Sequence, residues 1–148
     1  MSKSSKTKQM IGALEYGSMP ELGINNLVMR VDTGAATSSL HVDNIEEFER
    51  DNERWIRFDI HPDIHDVART VRCESKVLSQ KKIKSSTADR QRRYVINTRL
   101  QMGARSWKIK LTLTDRSEMT YLMLLGRQAM AGKFYVDPEY EFILPGRP

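Results

Sequence analysis

The sequence predicts an all-β chain, with many short strands closed into a barrel and one brief helix near its C-terminal end. Three observations carry this expectation. Trp107, Ile109, Leu111 and Leu113 alternate with Lys108, Lys110, Thr112 and Thr114, the period of a strand with one buried and one wet face. Short apolar or alternating runs recur along the chain, divided by turn residues such as Met102-Gly103-Ala104 and Asp115-Arg116-Ser117-Glu118. Helical character is confined to Gly126 to Ala131, which Gly132 ends. Short strands at this spacing close into a barrel.

The elements follow in order. Residues 1–8 read as a disordered tail and residues 9–148 as one domain. Met10 to Tyr16 reads as a strand, with Gly17-Ser18-Met19-Pro20 as a turn and Gly23 as a bend. Leu27 to Val31 and Ser38 to Val42 read as strands, and Glu46 to Asn52 as a polar loop or short helix. In Trp55 to Ile60, the side chains of Ile56, Phe58 and Ile60 share a face. Val67 to Ser85 leads into a projecting hairpin with its tip at Ser85 to Arg90, and Arg93 to Leu100 returns from it. Met119 to Leu125 reads as a continuous apolar strand buried on both faces. Phe134 to Val136 and Tyr140 to Leu144 finish the sheet.

Composition narrows the class. At 148 residues the chain suits one domain with a single core. Its longest apolar run is too short to cross a bilayer, and the first eight residues do not lead into a signal peptide, so a cytoplasmic protein is expected. The single cysteine, Cys73, excludes an internal disulfide and fits a reducing compartment. Charge is unevenly spread. Asp43 to Asp66 holds nine acidic residues against three arginines, whereas Arg69 to Lys110 holds thirteen basic residues against Glu74 and Asp89. The basic region reads as a solvated face, as a surface for acidic substrates, or as one for nucleic acid.

One motif carries chemistry. The apolar run Val28-Met29-Arg30-Val31 leads into Asp32-Thr33-Gly34-Ala35. Asp32 supplies a carboxylate, Thr33 a hydroxyl, and Gly34 the close backbone approach or positive φ of a tight turn. A triplet of this kind arises by chance in roughly one chain in twenty of this length, so alone it reads equally well as an ordinary turn. A second element, Tyr121-Leu122-Met123-Leu124-Leu125-Gly126-Arg127, joins it late in the chain.

Together, Asp-Thr-Gly-Ala and Leu-Leu-Gly-Arg resemble the retropepsin-like aspartic peptidases. The runs Asp32 to His41, Arg93-Tyr94-Val95-Ile96 and Met123 to Arg127 are similar to a bacterial branch catalogued as ATP-dependent zinc proteases. That branch is associated with a ligase that adds glutamates to a ribosomal protein. The resemblance spans roughly Ile11 to Leu144 and implies a closed retropepsin-like barrel of six or more strands with one short C-terminal helix.

It also implies an aspartic endopeptidase with Asp32, Thr33 and Gly34 as the catalytic turn. Two such carboxylates share a proton and activate a water. Asp115 and Asp137 do not sit in such turns, so a two-lobed single chain is excluded and a homodimer follows, Asp32 of each copy meeting on the two-fold axis. Thr33 would bond across that axis. Ala35 would contact substrate, as would Ser85, Ser86, Thr87 and Ala88 in a flap. Leu124, Leu125 and Gly126 would support the turn from behind. Arg127 matches an arginine that pairs, in that family, with an aspartate just after the motif. Here Ala36 and Thr37 stand at those positions, so Arg127 needs another partner. The cationic flap favours peptide or protein substrates with acidic, glutamate-rich segments.

No cofactor is expected. There is no His-Glu-x-x-His, Pro62 and Asp63 break any helix that would join His61 to His65, and His41 and Cys73 are scattered. No phosphate-binding Gly-x-x-x-x-Gly-Lys loop is present. Two other functions compete with the peptidase reading: a peptide-binding module of the same fold without activity, and a basic nucleic-acid-binding protein. The intact Asp32-Thr33-Gly34 weighs against the first. The second has only Tyr94 near Lys81 to Arg93 for base stacking, and is disfavoured.

Overall fold

The computed structural model describes residues 7–62, 69–84, 90–114 and 120–145. The strands are β1 (Gln9–Ile11), β2 (Leu14–Met19), β3 (Ile24–Val31), β4 (Ser38–His41), β5 (Asp43–Arg50), β6 (Glu53–Ile60), β7 (Val71–Lys76), β8 (Ser79–Lys84), β9 (Arg90–Met102), β10 (Arg105–Thr114), β11 (Met123–Leu125) and β12 (Phe134–Val136), with helix α1 (Arg127–Met130). The order β10-β4-β11-β3-β2-β9 returns to β10, because β9 and β10 also pair. Six strands thus close a barrel of mixed direction, as the sequence predicts. Closure covers most of the edges of those six, the usual solution for short strands with an apolar face, although β2 meets β9 only at Gln101. Met29, Leu40, Ile96, Leu100, Leu111, Met123 and Leu125 fill it, all at 0% exposure.

A separate three-stranded sheet, β5-β6-β7, packs on the barrel through Ile56, Phe58, Ile60 and Cys73. Burial pushes the Cys73 thiol up to about 11. The other face carries charge and aromatics in register: Glu46 opposes Arg57 and Phe48 opposes Trp55. The Arg50 guanidinium lies over Trp55 at 4.6 Å, and that of Arg57 over Phe48 at 4.4 Å. Bonds from Asn44 and Arg72 hold the Asp59 carboxyl below its ordinary value, and bonds from Arg50 and Arg57 do the same for Glu74.

Several elements differ from the sequence reading. Met10 to Tyr16 is two strands, broken at Gly12-Ala13. The strand then runs through the expected turn as far as Met19, which is fully buried and keeps Gly17 to Met19 in the sheet. The chain reverses one step later, through a 3-10 turn at Pro20–Leu22 that ends on Gly23 at φ 74°.

Glu46 to Asn52 is neither loop nor helix but most of β5 and its turn. Asp51 and Asn52 both take positive φ, 54° and 64°, the conformation of a two-residue hairpin turn. β5 lacks apolar alternation because cross-strand partners satisfy its charges. Arg54 bonds Glu47 at 2.6 Å, and Arg72 pairs with Glu46.

Of the expected strand Met119 to Leu125, Met119 lies outside the described residues, 120–122 are bends, and only β11 is strand, with Leu124 half-buried. Tyr140 to Leu144 is not a strand, because Phe142 takes φ 56° and breaks the extended run. Two backbone bonds still tie it down, Ala13 N–H to Tyr140 O at 2.7 Å and Phe142 N–H to Leu14 O at 2.8 Å. Among the described residues, no helix is long and apolar enough to cross a membrane.

Candidate functional site

β11 lies between β3 and β4, parallel to the first and antiparallel to the second. The loop 32–37 that joins β3 to β4 therefore crosses the end of β11. Asp32 opens this loop. Its backbone N–H donates to Leu125 O at 2.9 Å, which ties the residue to β11. The Gly34 N–H donates to Asp32 Oδ1, also at 2.9 Å, and fixes the carboxylate over the turn. Gly34 serves close approach rather than positive φ, since an added Cβ would lie 3.2 Å from that same oxygen. Ala35 N–H closes the turn on Asp32 O at 3.2 Å. Thr33 and Gly34 are exposed, and Asp32 is half-buried. Within one chain, then, a single carboxylate stands at the surface on a rigid turn.

The supporting residues sit where the chain returns. Leu125 pairs with Val31, and Gly126 follows beneath the loop. A Cβ on Gly126 would meet the Thr37 carbonyl carbon at 2.5 Å and its oxygen at 2.6 Å, so only glycine permits this approach. The Gly126 N–H donates to Ser38 Oγ at 3.0 Å, a buried contact with no signal in the sequence beyond a serine after the motif. α1 then grips the loop. Arg127 N–H donates to Ala35 O at 2.8 Å and Gln128 N–H to Ala36 O at 3.0 Å.

Arg127 finds its partner in backbone: its Nη1 donates to Thr33 O at 2.8 Å. Sequence reasoning looked for an acidic side chain and could not see a carbonyl. The contact joins the first residue of the helix to the centre of the Asp-Thr-Gly turn.

The hairpin β8–β9 projects beyond the barrel, antiparallel from Ser79↔Val95 to Lys84↔Arg90. Its expected tip, including the candidate substrate contacts Ser85, Ser86, Thr87 and Ala88, lies outside the described residues. The register places Lys81 opposite Arg93, Lys82 opposite Arg92 and Lys84 opposite Arg90. Of the residues weighed as metal ligands, His41 and His61 both face Asp43, at 3.6 and 3.2 Å, and His65 lies outside the described residues.

Comparison with known proteins places this geometry. Residues 10–146 match the family described as the RimB-like, retropepsin-like aspartic endopeptidases. A probable alpha-L-glutamate ligase of Shewanella pealeana is 45% identical over 140 residues, covering 95% of this chain and 31% of that protein. One from Parasynechococcus marenigrum is 48% identical over 132 residues, covering 89% of this chain and 28% of that protein. The chain thus spans about a third of the length of the curated relatives it matches. A crystal structure of a Legionella pneumophila protein of unknown function superposes with a TM-score of 0.78 at 27% identity, covering 93% of this chain and 98% of that one. With its barrel, its single Asp-Thr-Gly turn and a match over nearly its whole length, the chain belongs to the RimB-like family of retropepsin-like aspartic endopeptidases.

Proposed function

We propose that the chain is an aspartic endopeptidase that works as a homodimer in the cytoplasm. The observation that carries this reading is the Asp32 turn: one carboxylate, fixed by the Gly34 N–H, at the chain surface. Two copies brought together turn to turn would place two carboxylates around one water. One, ionised, takes a proton from the water as it attacks the scissile carbonyl; the other, protonated, donates to the carbonyl oxygen. Thr33, exposed beside Asp32, would bond the partner's turn, while Arg127 and Gly126 hold each turn from behind.

The substrate on this reading is an acidic, glutamate-rich peptide segment. The hairpin that would fold over a bound peptide is rich in basic residues, Lys81, Lys82, Lys84, Arg90, Arg92 and Arg93, a charge that attracts carboxylates. The relatives named as glutamate ligases add weight, since a peptidase joined to such a ligase would meet glutamate-bearing peptides.

The test is cleavage of an unbiased peptide pool between about pH 5 and 7, the range of cytoplasmic acid–base catalysis. Wild type, Asp32→Asn and wild type with a chelator are compared. Activity that survives chelation but not Asp32→Asn supports the reading, and cut sites enriched in acidic residues support the specificity. Activity lost with the chelator overturns the aspartic mechanism. Binding without cleavage in every tube points instead to a peptide-binding module.

A further inference from the structure

A groove of about 670 Å³ runs between the barrel and the three-stranded sheet, away from the Asp32 turn. Its lining includes the consecutive residues Glu74 to Leu78. A strand that turns one face to a groove contributes alternate residues; a consecutive run means that it presents its edge. β7 is indeed the edge of its sheet, paired with β6 alone among the described residues.

The opposite wall is β9, which the chain beyond β7 meets directly at one end, Leu78 N–H donating to Val95 O at 2.8 Å. On the side of β9 away from β10, β8 stops pairing at Val95 and β2 pairs at Gln101. Between them the Arg99 N–H, pointing away from β10, is met by a side chain, Glu21 Oε1 at 3.0 Å, and by no strand. Backbone groups two residues apart point the same way, so the amide and carbonyl of Asn97 face the groove too.

Side chains give the slot a chemistry. Leu22 and Trp55 line it, with Leu78 at 47% exposure. Its two carboxylates are already engaged: Glu21 by the Arg99 backbone and Glu74 by Arg50 and Arg57. Lys108 stands on the rim, and also on a second recess shared with Lys110 and Gln128 of α1, whose N–H grips the Asp32 loop.

We propose that this groove is a second peptide-binding site, in which an extended segment of the protein substrate adds as a strand to the edge of β7, with β9 as the facing wall. Such strand addition takes affinity from main-chain hydrogen bonds and specificity from alternate side chains. Here the segment sets an apolar side chain against Leu78 and Trp55 and a carboxylate at Lys108. Lys108 lies three residues, about 10 Å of strand, before Leu111, which pairs with Ser38 at the end of the Asp32 loop, so a peptide must extend past Leu111 to fill both sites. The inference rests on the peptidase reading for its occupant but not for its measurement.

The probe is a fluorescein-labelled peptide of alternating leucine and glutamate, long enough to reach both sites, added to the full Asp32→Asn chain. Anisotropy should report binding that falls about tenfold or more in Lys108→Glu and in Leu78→Asp, as for a reversed interface charge and a lost apolar anchor. A probe N-methylated on alternate residues should not bind, and a leucine–lysine probe should bind weakly. With Trp107→Phe as background, Trp55 emission should shift on titration. In active protein, Lys108→Glu should raise KM for long peptides and leave short ones unchanged. Equal binding by both groove variants and wild type overturns the proposal, as does full binding of the methylated probe. Groove-dependent binding without any cleavage upholds the groove and sinks the peptidase reading; cleavage with groove-independent binding does the reverse.

Discussion

The Arg127 guanidinium donates to the carbonyl oxygen of Thr33 at 2.8 Å, joining residues 94 positions apart in sequence. The resemblance implied an acidic side chain as the partner of this arginine, whereas the chain uses the peptide group of the turn itself. The bond holds the carbonyl between Thr33 and Gly34, and so sets the direction of the Gly34 N–H that fixes Asp32. Arg127→Met keeps the aliphatic stem and removes the donor. It should cost about 1 kcal/mol in a thermal or urea melt. It should also weaken self-association by sedimentation and lower cleavage more than stability. A variant with wild-type activity and association would show that the Gly34 and Leu125 bonds suffice.

Gly126 is held to its identity by space alone. An alanine Cβ there would sit 2.5 Å from the Thr37 carbonyl carbon and 3.0 Å from the Ser38 nitrogen, both backbone atoms that cannot swing aside. Overpacking of this kind typically costs about 1–3 kcal/mol. The displacement enters the 32–37 loop, so Gly126→Ala should lose peptidase activity while a folded, melted-at-lower-temperature protein is still recovered. Ser38→Ala removes the acceptor of the Gly126 N–H and should lower the melting temperature without that steric push.

Much of this was legible in the sequence, and the misses share a cause. The alternation from Trp107 to Leu111 and the Asp-Thr-Gly run report one residue's environment at a time, which local pattern encodes; Thr112 and Thr114, expected on a wet face, are buried where β10 runs beside β4. β5 was hidden because its charges are met across strands, by Arg54, Arg57 and Arg72, and those pairings exist only after folding. The partners of Arg127 and Gly126 were hidden for the same reason, one being a carbonyl and the other a hydroxyl nearly ninety residues away. Glu15 gave no signal at all: it sits in a strand between Leu14 and Tyr16, where alternation would place it on either face.

Glu15 is 1% exposed and serves as an acceptor hub. Its Oε2 takes the N–H groups of Gly12 at 2.8 Å and Ile143 at 2.9 Å, and its Oε1 takes that of Leu144 at 3.2 Å. The carboxylate thereby straps the C-terminal segment onto β2, where Phe142 stacks on Tyr16 at 4.6 Å. Glu15→Ala strips an acceptor from three donors, one of them near solvent, and should cost about 2–4 kcal/mol. Glu15→Gln keeps one acceptor but turns an NH₂ toward the donors, and should fall between. Hydrogen exchange would show lost protection at Ile143 and Leu144 first. Unchanged protection there would mean that the backbone bonds from Ala13 and Phe142 hold the strap alone.

The outer face of the three-stranded sheet should respond to acid. Asp59 and Glu74 titrate lower in the folded chain than their ordinary values of 3.8 and 4.5, because Asn44 with Arg72, and Arg50 with Arg57, bond the ionised forms. The unfolded chain therefore binds more protons in that window, and stability falls as pH falls. The contribution is complete above about pH 4.5 and is lost as pH drops through the depressed folded values. Melting temperature should thus decline modestly below that point. Asp59→Asn and Glu74→Gln should each be less stable than wild type at neutral pH and show a shallower decline in acid. Parallel declines in all three proteins would assign the acid sensitivity to carboxylates elsewhere. Because Arg72, Arg50 and Arg57 hold these carboxylates by charge near the surface, salt should flatten the wild-type curve as it screens the pairs.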